Sequence, residues 1–205
     1  MSGWSEHKGA AIALDIENVD TDQLIPARFM STPRADGYGN FLLHDMRSDS
    51  DGKPDPDFPI NRHPDASILV GRRNFGSGSS REAAVYALVD FGIRAVIAPS
   101  FGDIFASNSV NNGLLPALVS EEDAARLITL IGDTKVELSL NIETRKFTVG
   151  DQTIPFTLSE AWAQKLINGW DDIDLTEHHR PAISAYRARR SETLPWVFPA
   201  EEAAG

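Results

Sequence analysis

The stretch from Ala66 to Ile131 constrains the fold of this chain more than any other part of it. Ser67-Ile68-Leu69-Val70 is a short apolar run of the kind found in a strand covered on both faces. After a Gly/Ser turn, Ser80 to Phe91 sets Ala84, Leu88 and Phe91 along one helical stripe, with Gly92 as the C-cap. Ile93 to Ala98 reads as the next strand. Phe101 to Asn112 reads as a second helix closed by Asn112-Gly113, and Leu114 to Val119 as a third strand. Ser120 to Ile131 is a third helix, opened by Ser120 with Asp123 three residues on. Strands and helices alternating at such short intervals require right-handed crossovers and a parallel sheet.

Beyond Gly132 the texture changes. Lys135 to Ile142, Lys146 to Val149 and Thr153 to Phe156 read as short antiparallel strands with Gly150-Asp151 as a turn. Ser159 to Asn168 and His179 to Arg189 read as closing helices. On the N-terminal side, Ala11 to Val19 is expected as a first strand, followed by the polar turn Asn18 to Asp22. Ser31 to Gly39 and the proline- and aspartate-rich Arg47 to Pro64 are expected as mobile, solvated loops, and 190–205 as a tail. The expected fold is a single α/β domain over 1–205, with a parallel central sheet, additional antiparallel strands and flanking helices.

A hydrophobic content of 41% supports a sizeable core, and the net charge is −11. So acidic a surface repels nucleic-acid backbones and anionic lipid, so neither is an expected partner. An anionic ligand would need a local basic pocket working against the overall field. The chain has no cysteine, which removes disulfides, thiol nucleophiles and thiolate ligation of an iron–sulfur cluster. The apolar stretch Ala10 to Leu14 is too short for the core of a signal peptide and no window approaches a membrane span, so the expected location is the cytoplasm.

The turn Gly76-Ser77-Gly78-Ser79-Ser80-Arg81-Glu82 carries the chemistry. In open α/β sheets ligands sit beyond the carboxyl ends of the strands, where helix N-termini offer unpaired N–H groups. Gly76 and Gly78 allow close backbone approach, Ser77, Ser79 and Ser80 bring hydroxyls, and Arg81 brings a two-pronged donor suited to a carboxylate. The run lacks the lysine of a phosphate-binding P-loop, the third glycine of a dinucleotide fingerprint and the glycine spacing of a hydrolase nucleophile elbow. It suits an oxyanion. A plainer reading makes Ser79 and Glu82 a capping box, worth about 1 kcal/mol of helix-start stability. Arg81 near a helix start opposes the helix dipole, which asks for a local reason to hold a cation there.

Gly76 to Glu82, continued by Ile97 to Phe101, Asp103-Ile104-Phe105, Asn108-Ser109 and Asn111 to Pro116, resembles the small-subunit family of 3-isopropylmalate dehydratase, the detached swivelling domain of the aconitase superfamily. Asn18 to Pro26 is similar to that family's opening motif, and Asn168-Gly169 through Leu175-Thr176, with Ile183 to Tyr186, to its closing one. The resemblance covers nearly the whole chain. It implies a swivelling β/β/α fold and a large partner subunit carrying a [4Fe-4S] cluster, with no cofactor in this chain. It also implies reversible dehydration of a small dicarboxylic hydroxy acid. It makes Ser79 the catalytic base, Arg81 the carboxylate clamp and Asp22 an active-site residue, with Ser80 and Gly78 on the substrate side. Arg34 falls in the loop that the family sets near the substrate's variable group. The chain departs from the family pattern at Ser77, usually cysteine, and at Ala83, usually histidine.

Other features have bland readings beside sharp ones. Asp20 and Asp22 lack the glycine and distal glutamate of a calcium loop, so turn capping competes with function there. Asp49, Asp51, Asp55 and Asp57 read as loop aspartates, and His178-His179 as surface histidines. Arg72 and Arg73 could widen the basic pocket or meet a partner. The rival functions are the same chemistry on another diacid, such as methylmalate/citraconate, dimethylmalate or homoaconitate, and a non-catalytic anion-binding domain.

Overall fold

A computed structural model describes residues 2–198. Among them, seven strands form one sheet: β1 (Glu6–Leu14), β2 (Ile68–Gly71), β3 (Ala95–Ala98), β4 (Leu115–Leu118), β5 (Val136–Asn141), β6 (Lys146–Val149) and β7 (Gln152–Pro155). Their order is β4-β3-β2-β1-β5-β6-β7. β1 to β4 run parallel, and β5 to β7 add an antiparallel extension on the far side of β1. The expected α/β architecture is therefore present.

β1 is the hinge between the two halves. Its first part, Glu6 to Ala11, pairs antiparallel with β5, and its last part, Ala11 to Leu14, pairs parallel with β2. Only the last four residues are fully buried. That split explains why the sequence places this strand at Ala11 to Val19: the polar Glu6-His7-Lys8 portion lies in a half-exposed antiparallel ribbon and carries little apolar signal. The alternation after Leu14 that resembles strand continues as loop, with Asp15 and Glu17 ion-paired to Arg72 and Arg73.

Alternate strand residues feed two cores, one on each face of the sheet. Ala11, Ala13, Ile68, Val70, Ala95 and Ile97 face the helix α6 (Glu121–Ile131), through Leu127 and Ile131. Ile12, Leu14, Leu69, Val96 and Ala98 face α4 (Glu82–Phe91) through Ala84 and Leu88. Ser120 caps α6 by accepting from the Asp123 amide at 3.0 Å, as its spacing predicts.

The two segments expected as loops contain short helices and contribute to the second core. Turns of 3-10 helix occupy 34–36 and 38–41, and α2 (His44–Arg47) and α3 (Pro59–Arg62) follow. Tyr38 and Ile60 are buried within these two segments, and Leu42 and Leu43, fully buried, lie in the stretch between them. The aspartates of 47–64 build turns: Asp49 accepts from the amides of Asp51 and Lys53, and Asp55 from that of Asp57. Composition alone hides this, because two or three buried residues anchor a stretch that is polar on average.

In α2, Asp45 receives two hydrogen bonds from Arg28, chiefly responsible for holding its carboxyl at about 2 against an ordinary 3.8. Because the folded value is the lower one, the pair stabilises the fold above pH 3.8 and its contribution disappears as pH falls through about 2. An NMR titration of the Asp45 carboxyl should give that midpoint, and Arg28→Ala should return it to the ordinary range.

The described residues divide into two compact units after Trp170, where the sequence suggests one domain over 1–205. The second unit holds α8 (Asp172–His178) and α9 (Arg180–Thr193). α8, unforeseen in the sequence, is opened by an Asp171/Asp174 capping box. α9 runs four residues past the expected Arg189, so the expected tail from 190 begins as helix, and residues 199–205 lie outside the described residues. The first unit also contains α1 (Thr21–Leu24), α5 (Asp103–Asn111) and α7 (Glu160–Asn168), the last capped by Ser159. No helix among the described residues is long and apolar enough to cross a membrane.

Candidate active site

Three loops meet beyond the carboxyl ends of β1, β2 and β3. The loop after β2 takes an amide–carbonyl bond from each side: Gly76 N donates to Val19 O at 2.7 Å, and Phe75 N to Ser100 O at 3.0 Å. Isolated parallel bridges join Asp20 to Ser77 and Phe75 to Phe101. The sheet thus continues, one residue pair at a time, into the candidate site, and this holds the Gly-Ser turn in register with its neighbours.

The two glycines of the turn serve different ends. Gly76 has φ +71 and is buried, and a Cβ there would lie 2.2 Å from the Phe105 ring. It admits Phe105 from α5; it does not admit a ligand. Gly78 has φ +92 and is exposed, and a Cβ there would meet ordinary contacts at 3.5 Å. Its need for glycine is conformational. Close approach to a ligand, expected of both glycines, remains available only at Gly78.

Gly78, Ser79 and Ser80 are exposed to solvent, and Arg81 is partly covered. α4 starts at Glu82 with Arg81 as its N-cap, and no side chain caps it. The Ser79–Glu82 capping box is therefore not formed, and the plain structural role for Ser79 disappears with it. The Ser79 carbonyl accepts from Thr21 Oγ1 at 2.9 Å, while its hydroxyl meets no hydrogen-bond partner among the described residues. Thr21, itself 2% exposed, also donates its amide to Ser77 O at 2.9 Å. Thr21 goes unnoticed in the sequence, where nothing distinguishes it from any turn threonine.

Asp20 and Asp22, which local spacing leaves equivalent and only the family resemblance tells apart, separate in the structure. Asp20 is a helix cap: its Oδ1 accepts from the Gln23 amide at 2.7 Å, and Gln23 Oε1 accepts from the Asp20 amide at 2.9 Å. Asp22 turns the other way and forms an ion pair with Arg81 Nη1. That pair supplies the local reason for a cation at this helix start. It engages one corner of the guanidinium, and the Arg81 side chain keeps 19% of its surface exposed.

Arg34 is not brought to this turn. Its guanidinium lies 3.8 Å from the centre of the Tyr86 ring and 2.9 Å from Asp90 Oδ1. Glu82, Tyr86 and Asp90 form an i, i+4, i+8 stripe on α4, so the Asp90 end is about 12 Å along the helix from the Arg81 end. Arg72 and Arg73 are likewise engaged, by Asp15 and Glu17. Asn112, read in the sequence as a helix closer, does close α5 but also donates from Nδ2 to Glu82 Oε1 at 2.9 Å. In sum, Asp22, Gly78, Ser79, Ser80 and Arg81 share one surface region, with the Ser79 and Ser80 hydroxyls and one guanidinium available for an anion among the described residues.

Residues 1–122 match the family model described as the aconitase C-terminal domain. The chain is 44% identical to the 3-isopropylmalate dehydratase small subunit of Shewanella denitrificans, covering 92% of this chain and 96% of that one. It is also 44% identical to the same subunit of Anoxybacillus flavithermus, covering 93% and 100%. A crystal structure of 3-isopropylmalate dehydratase, leuD, from Methanocaldococcus jannaschii superposes with a TM-score of 0.64 at 25% identity, covering 88% of this chain and 99% of that one. Sequence and fold agree, and the chain belongs to the 3-isopropylmalate dehydratase small-subunit family, built on the aconitase C-terminal domain.

Proposed function

We propose that this chain is the small subunit of a two-chain hydro-lyase that interconverts 2-isopropylmalate and 3-isopropylmalate by removing and re-adding water, in leucine biosynthesis. The observation that carries this reading is the solvent-exposed turn in which the Ser79 hydroxyl has no hydrogen-bond partner among the described residues, two residues before Arg81. A site so open in one chain is half of a site, and we assign the other half to a large subunit without which the chain is inactive.

The residues of this chain do not fit an iron–sulfur cluster. There is no cysteine, and no group of three or more metal-ligating side chains occurs among the described residues. The [4Fe-4S] cluster is therefore assigned to the large subunit. What this chain contributes is proton handling and carboxylate recognition. Ser79 takes the proton from the carbon next to a substrate carboxylate and returns it in the reverse direction. A serine is a weak base unless its anionic form is stabilised; Arg81 and the first-turn amides of α4 lie within the next few residues. Arg81 binds the carboxylate through its planar fork, and Asp22 fixes that fork from the opposite side. Ser80 and Gly78 line the substrate side of the same turn. Arg34, in the 3-10 turn at 34–36 and held in the free chain by Asp90 and Tyr86, is assigned to the substrate's variable group, which requires that it leave Asp90 when the substrate binds.

The direct test is reconstitution. Co-expression with its cognate large subunit under anaerobic conditions should give a complex that turns over isopropylmalate, while this chain alone does not. Turnover of citraconate, dimethylmalate or homoaconitate in place of isopropylmalate would remove the substrate assignment and leave the chemistry. No turnover of any of these acids would remove both.

Arg81→Lys separates charge from geometry at the clamp. It keeps the cation and loses the two-pronged donor, so KM for the diacid should rise about tenfold with a smaller change in kcat. Steady-state kinetics of the reconstituted variant measure both, and an unchanged KM would remove Arg81 from the clamp.

A further inference from the structure

The anion site has an acidic neighbour that ought to weaken it. Glu82 follows Arg81 directly, its carboxylate is exposed, and a carboxylate one residue from a guanidinium competes with any incoming carboxylate for it. The structure gives Glu82 a different partner. Asn112 Nδ2 donates to Glu82 Oε1 at 2.9 Å, across the gap between the start of α4 and the end of α5. The same Nδ2 donates to Asn108 O at 2.9 Å, and the Asn112 amide bonds back to Asn108 O and Ser109 O at 3.1 Å, so the donor is held by α5 itself. On the α4 side the Glu82 carboxylate reaches toward Tyr86, one turn on. Burial first, and then Glu82, push the Tyr86 hydroxyl above its ordinary value. Arg34 closes the far side of that ring and is itself claimed by Asp90.

Resting on the reading of Arg81 as the carboxylate clamp, we infer that Asn112 is a positioning residue. Its neutral amide holds Glu82 against α5, so that Arg81 is left to Asp22 and to the substrate. Neutrality is the useful property. An amide donor satisfies the carboxylate without adding a second cation that would compete for the substrate. It also leaves the Arg81–Asp22 pair undisturbed. The role belongs to Asn112 as a side chain, beyond its closing of the helix, because any residue with suitable backbone geometry would close α5 but only a donor at this reach restrains Glu82.

The experiment is a double-mutant cycle in the reconstituted two-chain enzyme, read as KM and kcat for isopropylmalate. Asn112→Asp places a carboxylate against Glu82 and drives it back toward Arg81; KM should rise about tenfold with kcat within about twofold. Adding Glu82→Gln to that variant should bring KM back to within about threefold of wild type, since an amide no longer competes for Arg81. Asn112→Ala, which removes the donor without adding charge, should show a smaller rise that Glu82→Gln also cancels. If Asn112→Asp does not fold, the Asn112→Ala cycle decides by the same criterion. An unchanged KM, or a rise that Glu82→Gln leaves in place, overturns the inference, because a purely structural asparagine would not be rescued at Glu82. Arg81→Ala serves as the control. If it leaves KM unchanged, the clamp reading fails; if it raises KM while the Asn112 cycle is flat, only the role of Asn112 fails.

Discussion

Ser79→Ala should lower kcat of the reconstituted enzyme about a hundredfold to ten-thousandfold, the range contributed by a positioned acid–base group. It should leave the stability of the isolated chain within about 0.5 kcal/mol of wild type. The two halves of that expectation come from the same geometry. The Ser79 side chain is exposed and caps nothing: α4 opens at Glu82 with Arg81 as N-cap and without a side-chain bond. What holds residue 79 in place is its own carbonyl, accepting from Thr21 Oγ1 at 2.9 Å, and alanine keeps that carbonyl. A capping serine would behave in the opposite way, with a loss of about 1 kcal/mol in urea unfolding and normal turnover. Unfolding curves and single-turnover kinetics on the same variant therefore separate the two roles. Full activity in Ser79→Ala would end the assignment of the base. Thr21→Val offers a graded companion. It removes the donor that fixes the Ser79 carbonyl, so kcat should fall while the hydroxyl itself remains.

How far the sequence reveals this site depends on the kind of signal each residue carries. Parallel strands β2, β3 and β4 are legible because β2 and β3 are buried throughout and β4 is buried except at Leu118, so each reads as a short apolar run. The helices after them are legible from their stripes and caps. Elements that rest on a few long-range contacts are not: the first half of β1 is polar because it forms a half-exposed ribbon with β5, and α3 is anchored by the single buried Ile60. The same division runs through the site. The Gly-Ser-Ser-Arg turn stands out locally, since glycine, hydroxyl and guanidinium in succession have few other uses. The difference between Asp20 and Asp22 depends on a chain segment 59 residues away, where Arg81 meets Asp22, and no local pattern encodes it. The same holds for Thr21 against Ser79 and for Asn112 against Glu82, at separations of 58 and 30 residues. Arg34 illustrates the converse. Its place in the chain suggests the substrate, but the nearest acid and ring, Asp90 and Tyr86, claim it in the free chain.

Gly76→Ala should destabilise the chain by about 2 to 5 kcal/mol, the combined cost of a non-glycine residue at positive φ and of overpacking a filled core. Residue 76 has φ +71, and the added methyl would lie 2.2 to 2.6 Å from three atoms of the Phe105 ring. That ring cannot move aside cheaply. It is 3% exposed, sits edge-on to Phe75 at 5.6 Å and stacks with Phe101 at 6.3 Å. Nor can the backbone retreat, since Gly76 N is bonded to Val19 O at 2.7 Å and Gly102 packs closely against the Gly76 carbonyl. Relief must come from the turn that carries Ser79 and Arg81, so turnover of the folded fraction should fall as well. Gly78→Ala is the matched comparison. Its φ of +92 is equally unfavourable for alanine, but the new methyl meets only ordinary contacts at 3.5 Å. It should therefore cost about 1 to 2 kcal/mol, the conformational term alone. Urea unfolding of the two variants side by side measures the steric share as their difference. Equal losses would mean that Phe105 gives way, and that the Gly-Ser turn is not braced against α5 as the geometry requires.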